Sequence, residues 1–357
     1  MGMFSLFSSD RPRFMSAAYL TLISSYLGLF QGIVLGQEVG HNSSTESSVQ
    51  GLLFEMPVEI FDEEDIALTG AIIPANPVAP GQGPLVDNLG EQWDEQRTND
   101  HLPFWYARSL SGSWIPKNGM DGFGNTDVPI TTSFAPIWFD EVPAFLITPG
   151  FGFHFWEAPD ALELPSRVFD SYIEVTWRTP VTDRWGFAFG MTPGVYGDYE
   201  QFNSKAFQLT GWGLLELNLS KKWTLLAGAA VVRQLDMQVL PVGGLLWTPN
   251  DNARLELLVP RSRLALKIQE SSSGGSLWAY TACQFGGGTW AIALPDSSTA
   301  VVTVSDLRAV LGFEWFRSQM TATVAEIGYV FARTISANGT PEFNPSDSLM
   351  LQLGTVF

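Results

Sequence analysis

From Val168 the chain alternates. Phe169, Ser171, Ile173, Val175 and Trp177 fall on one side of an extended segment, and Asp170, Tyr172, Glu174, Thr176 and Arg178 on the other, because successive side chains of a strand point to opposite faces. The same rhythm runs through Arg184–Thr192, where Trp185, Phe187, Phe189 and Met191 oppose Gly186, Ala188 and Gly190. Thr179-Pro180-Val181-Thr182-Asp183 between them is turn chemistry, so the two segments predict a hairpin.

Three more hairpins follow from the same reasoning. Phe207–Leu219 turns at Ser220-Lys221-Lys222 into Trp223–Val232, Val239–Thr248 turns at Pro249–Asn252 into Ala253–Val259, and Leu307–Phe316 turns at Arg317-Ser318-Gln319 into Met320–Arg333. Longer polar stretches, at Glu157–Arg167, Tyr196–Ser204, Glu270–Gly275, Asp296–Ala300 and Thr334–Ser346, separate the hairpins. Short turns alternating with long loops, and strands with one strongly apolar face, predict an all-β fold: an antiparallel transmembrane β-barrel over residues 104–357, with about 12 strands and a range of 10 to 14. Trp177, Trp185, Trp223, Trp247, Trp278, Trp290 and Trp315 stand near strand ends, where membrane barrels carry aromatic girdles. A soluble β-sandwich produces the same alternation. Against it, the faces opposite the apolar ones hold small or polar groups and few lysines.

The N-terminal third reads differently. Arg11 and Arg13 precede an uncharged stretch, Ala17–Leu35, and Val34-Leu35-Gly36 offers small residues for cleavage before Gln37, the layout of a signal peptide over residues 1–36. The other reading of that stretch is a membrane-anchoring helix. Residues 37–103 are Ser-rich, then acidic at Asp62–Asp65, then Pro-rich, the composition of a disordered or extended segment.

The last strand carries the most specific pattern. Leu349, Leu351, Leu353, Thr355 and Phe357 share a face, and Phe357 ends the sequence. This resembles the C-terminal insertion signal of outer-membrane barrels. The resemblance implies an outer-membrane location and contact of Leu349, Leu351, Leu353 and Phe357 with the barrel-insertion machinery. Thr355 departs from it, since a larger apolar residue is usual two places before the end. The block Gly244–Asn250 followed by Leu255–Pro260 is similar to an uncharacterised family of bacterial outer-membrane barrels, porin-like and of unknown function, across about residues 104–357. That family lends architecture and no activity.

Composition then narrows the chemistry. A formal net charge of −18, with 19 Lys and Arg among 357 residues, excludes nucleic acid as an expected partner, because phosphate binding needs clustered cations. Outer-membrane lipid is the expected one. Cys283 is the single cysteine, so no intramolecular disulfide is available, and its setting predicts an inert strand residue. No cofactor or metal signature is present. Parity assigns Asp170, Glu174, Arg178, Glu216, Arg254, Glu256, Arg308, Glu314 and Glu326 to the lumen, as ion-pair ladders that fill it or as the lining of a charge-selective path. Of three histidines only His154 lies in a strand segment, Phe151–Trp156, and a structural role outweighs a catalytic one there. Gly286-Gly287-Gly288 reads as a turn between strands rather than a phosphate cradle. The function expected is a non-catalytic outer-membrane pore, transport or structural barrel. The alternatives are a barrel enzyme acting on lipid or polysaccharide and a secreted β-sandwich binding protein.

Overall fold

The computed structural model describes residues 105–357 apart from positions 140–141, 181–183, 201–203, 235, 260, 271–274, 295–297, 319–320 and 338–341. The expected signal peptide and the segment 37–103 lie outside the described residues. Fourteen strands follow one another: β1 Trp105–Ile115, β2 Gly124–Phe139, β3 Val142–Glu157, β4 Arg167–Pro180, β5 Trp185–Gly197, β6 Phe207–Ser220, β7 Trp223–Gln234, β8 Asp236–Asn250, β9 Ala253–Val259, β10 Arg261–Glu270, β11 Ser276–Ala293, β12 Thr299–Ser318, β13 Thr321–Ala337 and β14 Ser348–Val356. Each pairs antiparallel with its sequence neighbours, and β1 pairs with β14, so the sheet closes on itself. A closed ring has no second packed sheet, which removes the sandwich alternative.

The ring has two unlike ends. Both the start of β1 and the end of β14 lie at the end where connections are short, such as 221–222 and 251–252; the opposite end carries 116–123, 158–166, 198–206 and 338–347. Two departures from the sequence reading arise here. The connection 271–275, expected among the long loops, joins β10 to β11 at the short-turn end, because β9 and β10 meet directly at position 260 and reset the alternation. Gly286-Gly287-Gly288 is not a turn but the middle of β11, in continuous register with Asp306, Ser305 and Val304 of β12. Glycine is required there by close approach. A Cβ on Gly286 would run into the Asp306 and Arg308 side chains, and Gly287 holds φ at +102° with the Val304 carbonyl against it.

Alternation sorts the side chains as the pleat demands. On β5 and β6, Ala188, Thr192, Gln208, Thr210, Trp212, Leu214 and Glu216 are buried inside the ring, while Trp185, Phe187, Phe189, Met191, Phe207, Leu209 and Leu215 are exposed outside. Leu110, Ile173, Leu225, Leu311, Phe313, Ile327, Leu351 and Leu353 extend this exposed apolar surface to other strands. Tryptophans bound it at the short-turn end: Trp177, Trp185, Trp223, Trp247 and Trp315, with Trp223 stacked on Trp247 at 5.1 Å. Trp114, Phe155 and Phe207 do so toward the other end. About ten residues separate the two levels on β5, which at ~3.3 Å per residue and a tilt of ~40° makes a band about 25 Å tall.

Trp278 and Trp290 are not part of that girdle. Both sit on the interior parity of β11; Trp278 packs on an interior cluster with Tyr280 and Phe316, and Trp290 is fully buried. Nearness to a strand end does not fix which face a side chain takes; the register across the β11 glycines does.

Candidate functional site

The interior of β2, β3 and β4 is polar in a way the exterior is not. Asp127, His154 and Asp170 occupy successive strands on the buried parity, and the pairings Asp127↔His154 and Gly152↔Asp170 bring them into one row. The His154 Nδ1 lies 2.6 Å from Asp127 Oδ1, and its Nε2 lies 2.8 Å from Asp170 Oδ2. The remaining carboxylate oxygens are also occupied. Asp127 Oδ2 accepts from Ser113 Oγ at 3.1 Å and Asn125 Nδ2 at 3.0 Å, and Asp170 Oδ1 accepts from Trp290 Nε1 at 2.7 Å. Glycine at 152 leaves room for this row, since a Cβ there would stand 3.1 Å from His154 Nε2 and 3.3 Å from Asp170 Oδ2.

Hydrogen-bond inventory limits what this row can do. An ionised carboxylate only accepts, and a neutral imidazole carries one N–H. Two contacts to two carboxylates therefore place two protons on the three groups, either as an imidazolium between two carboxylates or as a neutral ring beside one carboxylic acid. In both cases each ring nitrogen is engaged, so neither has a free lone pair for a hydroxyl nucleophile, and Ser113 bonds Asp127 rather than the histidine. The row is built to hold charge in place.

A second polar region continues from the first. Arg308 binds Asp306 through Nε at 2.7 Å and Nη2 at 3.3 Å, and interacts electrostatically with Asp127 and Glu326. Glu326 accepts from Tyr280 Oη, and Arg261 Nη2 approaches it at 3.9 Å. Arg263 pairs with Glu314 and lies 4.2 Å over the Tyr280 ring. Arg254 Nε and Glu256 Oε1 are 2.9 Å apart. Most of these groups are buried, where breaking one partner of a charge pair costs far more than the pair itself contributes. Arg333 closes the loop end by donating to the carbonyls of Phe123, at 2.7 Å, and Ser346, at 3.1 Å.

The sequence-assigned lumen residues fall into this frame unevenly. Asp170, Glu216, Arg254, Glu256, Arg308, Glu314 and Glu326 are buried on the interior parity, and Glu174 and Arg178 are half-buried on it. Asp170 joins the histidine row; Arg254, Glu256, Arg308, Glu314 and Glu326 join the second region. Asp127, Trp290, Arg263, Tyr280 and Asp306 were missed. The alternation predicts no separate strands at β1, β2 and β10, and it begins the strand at β12 with Leu307, one residue after Asp306. The signal existed for Asp127, which alternates with Asn125, Pro129 and Thr131. Cys283 is a free thiol buried in β11, and among the described residues no group of three His, Cys, Asp or Glu is arranged to hold a metal.

The distinguishing feature of the site is a crossing. The end of β11, past its ladder with β10 but still paired with β12 through Ala293↔Thr299, bends inward and meets β5: Ala291 pairs with Gly197, the Asp198 amide donates to the Ala291 carbonyl at 3.2 Å, and the Ala293 amide donates to Asp198 Oδ2 at 2.6 Å. Gln208 Nε2 on β6 adds a bond to the Thr289 carbonyl at 2.7 Å. Trp290 thereby packs on His154 and Trp156 at 5.1 and 5.2 Å. Phe123, Tyr172, Tyr196, Ile292, Val302 and Ile335 fill the surroundings.

A family model covers residues 157–339, from the last residue of β3 through β13. The chain belongs to the family of the domain of unknown function DUF6268. The DUF6268 match includes Asp170, Trp290 and the β9–β13 charges, and leaves Asp127 and His154 outside it. Among solved structures, this DUF6268 chain is similar to a bacterial polysaccharide outer-membrane secretin, at 10% identity and TM-score 0.38 over 72% of this chain and 99% of that one. It is similar also to the NanC porin, at 11% and 0.36 over 70% and 98%. A third is an outer-membrane channel from Pseudomonas putida F1, at 12% and 0.34 over 73% and 99%. No curated protein matches it in sequence.

Proposed function

We propose that this protein is an exported outer-membrane barrel that serves as a structural envelope component with its axial path closed, and not as an open diffusion pore or an enzyme. The exposed apolar band bounded by aromatic residues supports the membrane setting, since bacterial outer-membrane barrels carry such a band about 25 Å tall. The expected signal peptide and the C-terminal pattern Leu349, Leu351, Leu353 and Phe357 support export and insertion.

The observation that carries the closed reading is the crossing of β11. A round ring of fourteen strands leaves a lumen wider than its side chains fill. Here strands from opposite walls touch, through Ala291 and Gly197 in the backbone and Trp290 and Asp170 in the side chains. Buried interior charges on β9, β10, β12 and β13 pair with one another, which supports ladders rather than a conducting path.

The test is outer-membrane fractionation with boiled and unboiled gels, followed by planar-bilayer recording. A membrane-bound, heat-modifiable band with no steady conductance is expected. A soluble, unshifted protein would overturn the membrane reading, and a large stable conductance would overturn the closed one.

A further inference from the structure

The girdle at the short-turn end is built of large side chains over β5–β9 and is interrupted at the seam. Over β5–β7 one outer row reads Trp185, Leu217 and Leu225, and the next places Trp223 beside Trp247 and Leu255. Across the seam the row is Trp315 of β12, Thr323 of β13, Thr355 of β14 and Leu110 of β1. One step toward the loop end it is Phe313, Ala325, Leu353 and Gly112. Trp315, Phe313, Leu353 and Leu110 are exposed on the outer wall. Thr323 and Ala325 are therefore the floor of a groove along β13, walled by Trp315 and Phe313 on one side and by Leu353 on the other. Thr355, where the C-terminal pattern has a larger apolar residue, widens its lower end. The Thr355 hydroxyl donates to the Ala322 carbonyl at 3.1 Å, so this position brings no unsatisfied hydroxyl to the wall.

Cations border the foot of this groove. Arg317 is exposed on the outer parity of β12, with its guanidinium 4.4 Å from the centre of the Trp315 ring. Arg108 is exposed on the outer parity of β1, where its backbone pairs with Phe357. At ~4.8 Å between strands, Arg317 is rooted about 5 Å from β13 on one side and Arg108 about 10 Å from it on the other. Thr321 and Phe357, between them on that row, carry no acidic side chain.

We propose that the seam groove binds an anionic glycerophospholipid of the periplasmic leaflet, its phosphate between Arg317 and Arg108 and one acyl chain along Thr323 and Ala325. The inference rests on the membrane-embedded reading, in which the short turns face the periplasm. Charge complementarity selects the head: arginine pairs with phosphate oxygens, and two cations favour a lipid with net negative charge over one whose own ammonium stands beside the phosphate. Continuity selects the tail, because the groove leaves the arginines and runs directly into the exposed apolar band. Arg184, Lys221 and Lys222 also stand exposed at this end, beside the large residues of β5–β9, where the girdle has no such gap.

The test folds the full chain into vesicles of dioleoyl phosphatidylglycerol and dioleoyl phosphatidylcholine in equal amounts, extracts it into mild detergent, and reads by native mass spectrometry which lipid stays bound. Retention of the phosphatidylglycerol over the phosphatidylcholine by roughly 30-fold is expected, at about 1 kcal/mol for each of the two cations. Arg108→Gln with Arg317→Gln removes that preference, and Thr323→Phe, which fills the groove, lowers retention of both lipids. Lys221→Gln with Lys222→Gln changes neither. Heat-modifiable mobility of each variant shows that it is folded, and the comparison of the two lipids on the parent chain depends on no variant. Equal retention of the two lipids by the parent overturns the headgroup assignment. A preference that survives loss of both arginines, or that falls equally with the lysine pair, overturns the site in favour of diffuse attraction to the rim. Unchanged retention in Thr323→Phe overturns the groove. A chain that does not float with the vesicles overturns the membrane reading itself.

Discussion

Trp290 donates its indole N–H to Asp170 at 2.7 Å although the two residues belong to β11 and β4, which stand seven places apart in a ring of fourteen whichever way it is counted. One hydrogen bond thus joins opposite walls of the barrel. It is possible only because β11 bends inward, and the same bond helps hold it there.

Trp290→Phe keeps the aromatic packing on His154 and Trp156 and removes the donor. Asp170 Oδ1 then loses its partner in a buried site, which costs about 1–3 kcal/mol. The expected outcome is a lower urea midpoint for the mobility shift of the folded band. Trp156→Phe is the control: the Trp156 Nε1 has no hydrogen-bond partner, so its loss removes no bond, and its midpoint moves less.

His154 holds two carboxylates apart while bonding both. His154→Ala leaves Asp127 and Asp170 buried without it, a loss of about 3–5 kcal/mol of the kind seen when one partner of a buried charge pair is removed. Neutralising one carboxylate relieves the repulsion, so His154→Ala combined with Asp170→Asn is less unstable than the two single changes added together. Denaturant midpoints of the four proteins give the coupling directly, and strict additivity would refute a shared network.

How far such a row is legible in sequence depends on the face each residue takes. Period-two alternation is strong in β4, β5 and β14, where most alternate residues are large and apolar, so those strands and the burial parity of Asp170 could be read directly. Strand β9 was legible, its bounds Ala253–Val259 falling where expected, but β10 defeats the same method: Arg261, Ser262, Arg263 and Leu264 carry no alternation, and Ser262 to Ala265 are all buried. The register across Gly286–Gly288 has no side-chain pattern to betray it either. The crossing of β11, and with it the partnership of Trp290 and Asp170, is a tertiary fact that no local period encodes.

Gly197 is small because β11 crosses it. A Cβ at this position would press on the Ala291 carbonyl, so Gly197→Val pushes the β11 end away from β5 and opens the axial path. Planar-bilayer recording is expected to show conductance events in this variant and none in the parent. Gly213→Ala is the matched control, since a Cβ at 213 meets nothing within 4 Å. Conductance equal in the two variants would refute the plugging role of the crossing.

The outer band predicts a depth profile. Phe189 lies midway along β5 and Trp185 at its short-turn end, both exposed. Arginine at a bilayer midplane costs about 2–4 kcal/mol and near an interface about 0–1 kcal/mol. Phe189→Arg should therefore sharply reduce the folded fraction in vesicles, with Trp185→Arg nearly neutral. Equal tolerance of both would show that the band does not face lipid.

Phe357 closes the seam between the chain's last strand and its first. Its amide donates to the Arg108 carbonyl at 3.0 Å, and the Arg108 amide donates to its carbonyl at 2.9 Å, while the ring itself is exposed outside. The backbone bonds and the side chain can be separated by experiment. Phe357→Ala keeps both bonds, so refolding into vesicles should proceed with an unchanged denaturant midpoint. Deleting residue 357 removes both bonds, each worth about 0.5–1.5 kcal/mol net, and should lower the midpoint. If the exposed ring is what the insertion machinery reads, both variants lose outer-membrane assembly in cells, and Phe357→Ala does so without any loss of stability. Normal assembly of Phe357→Ala would confine the residue to the seam.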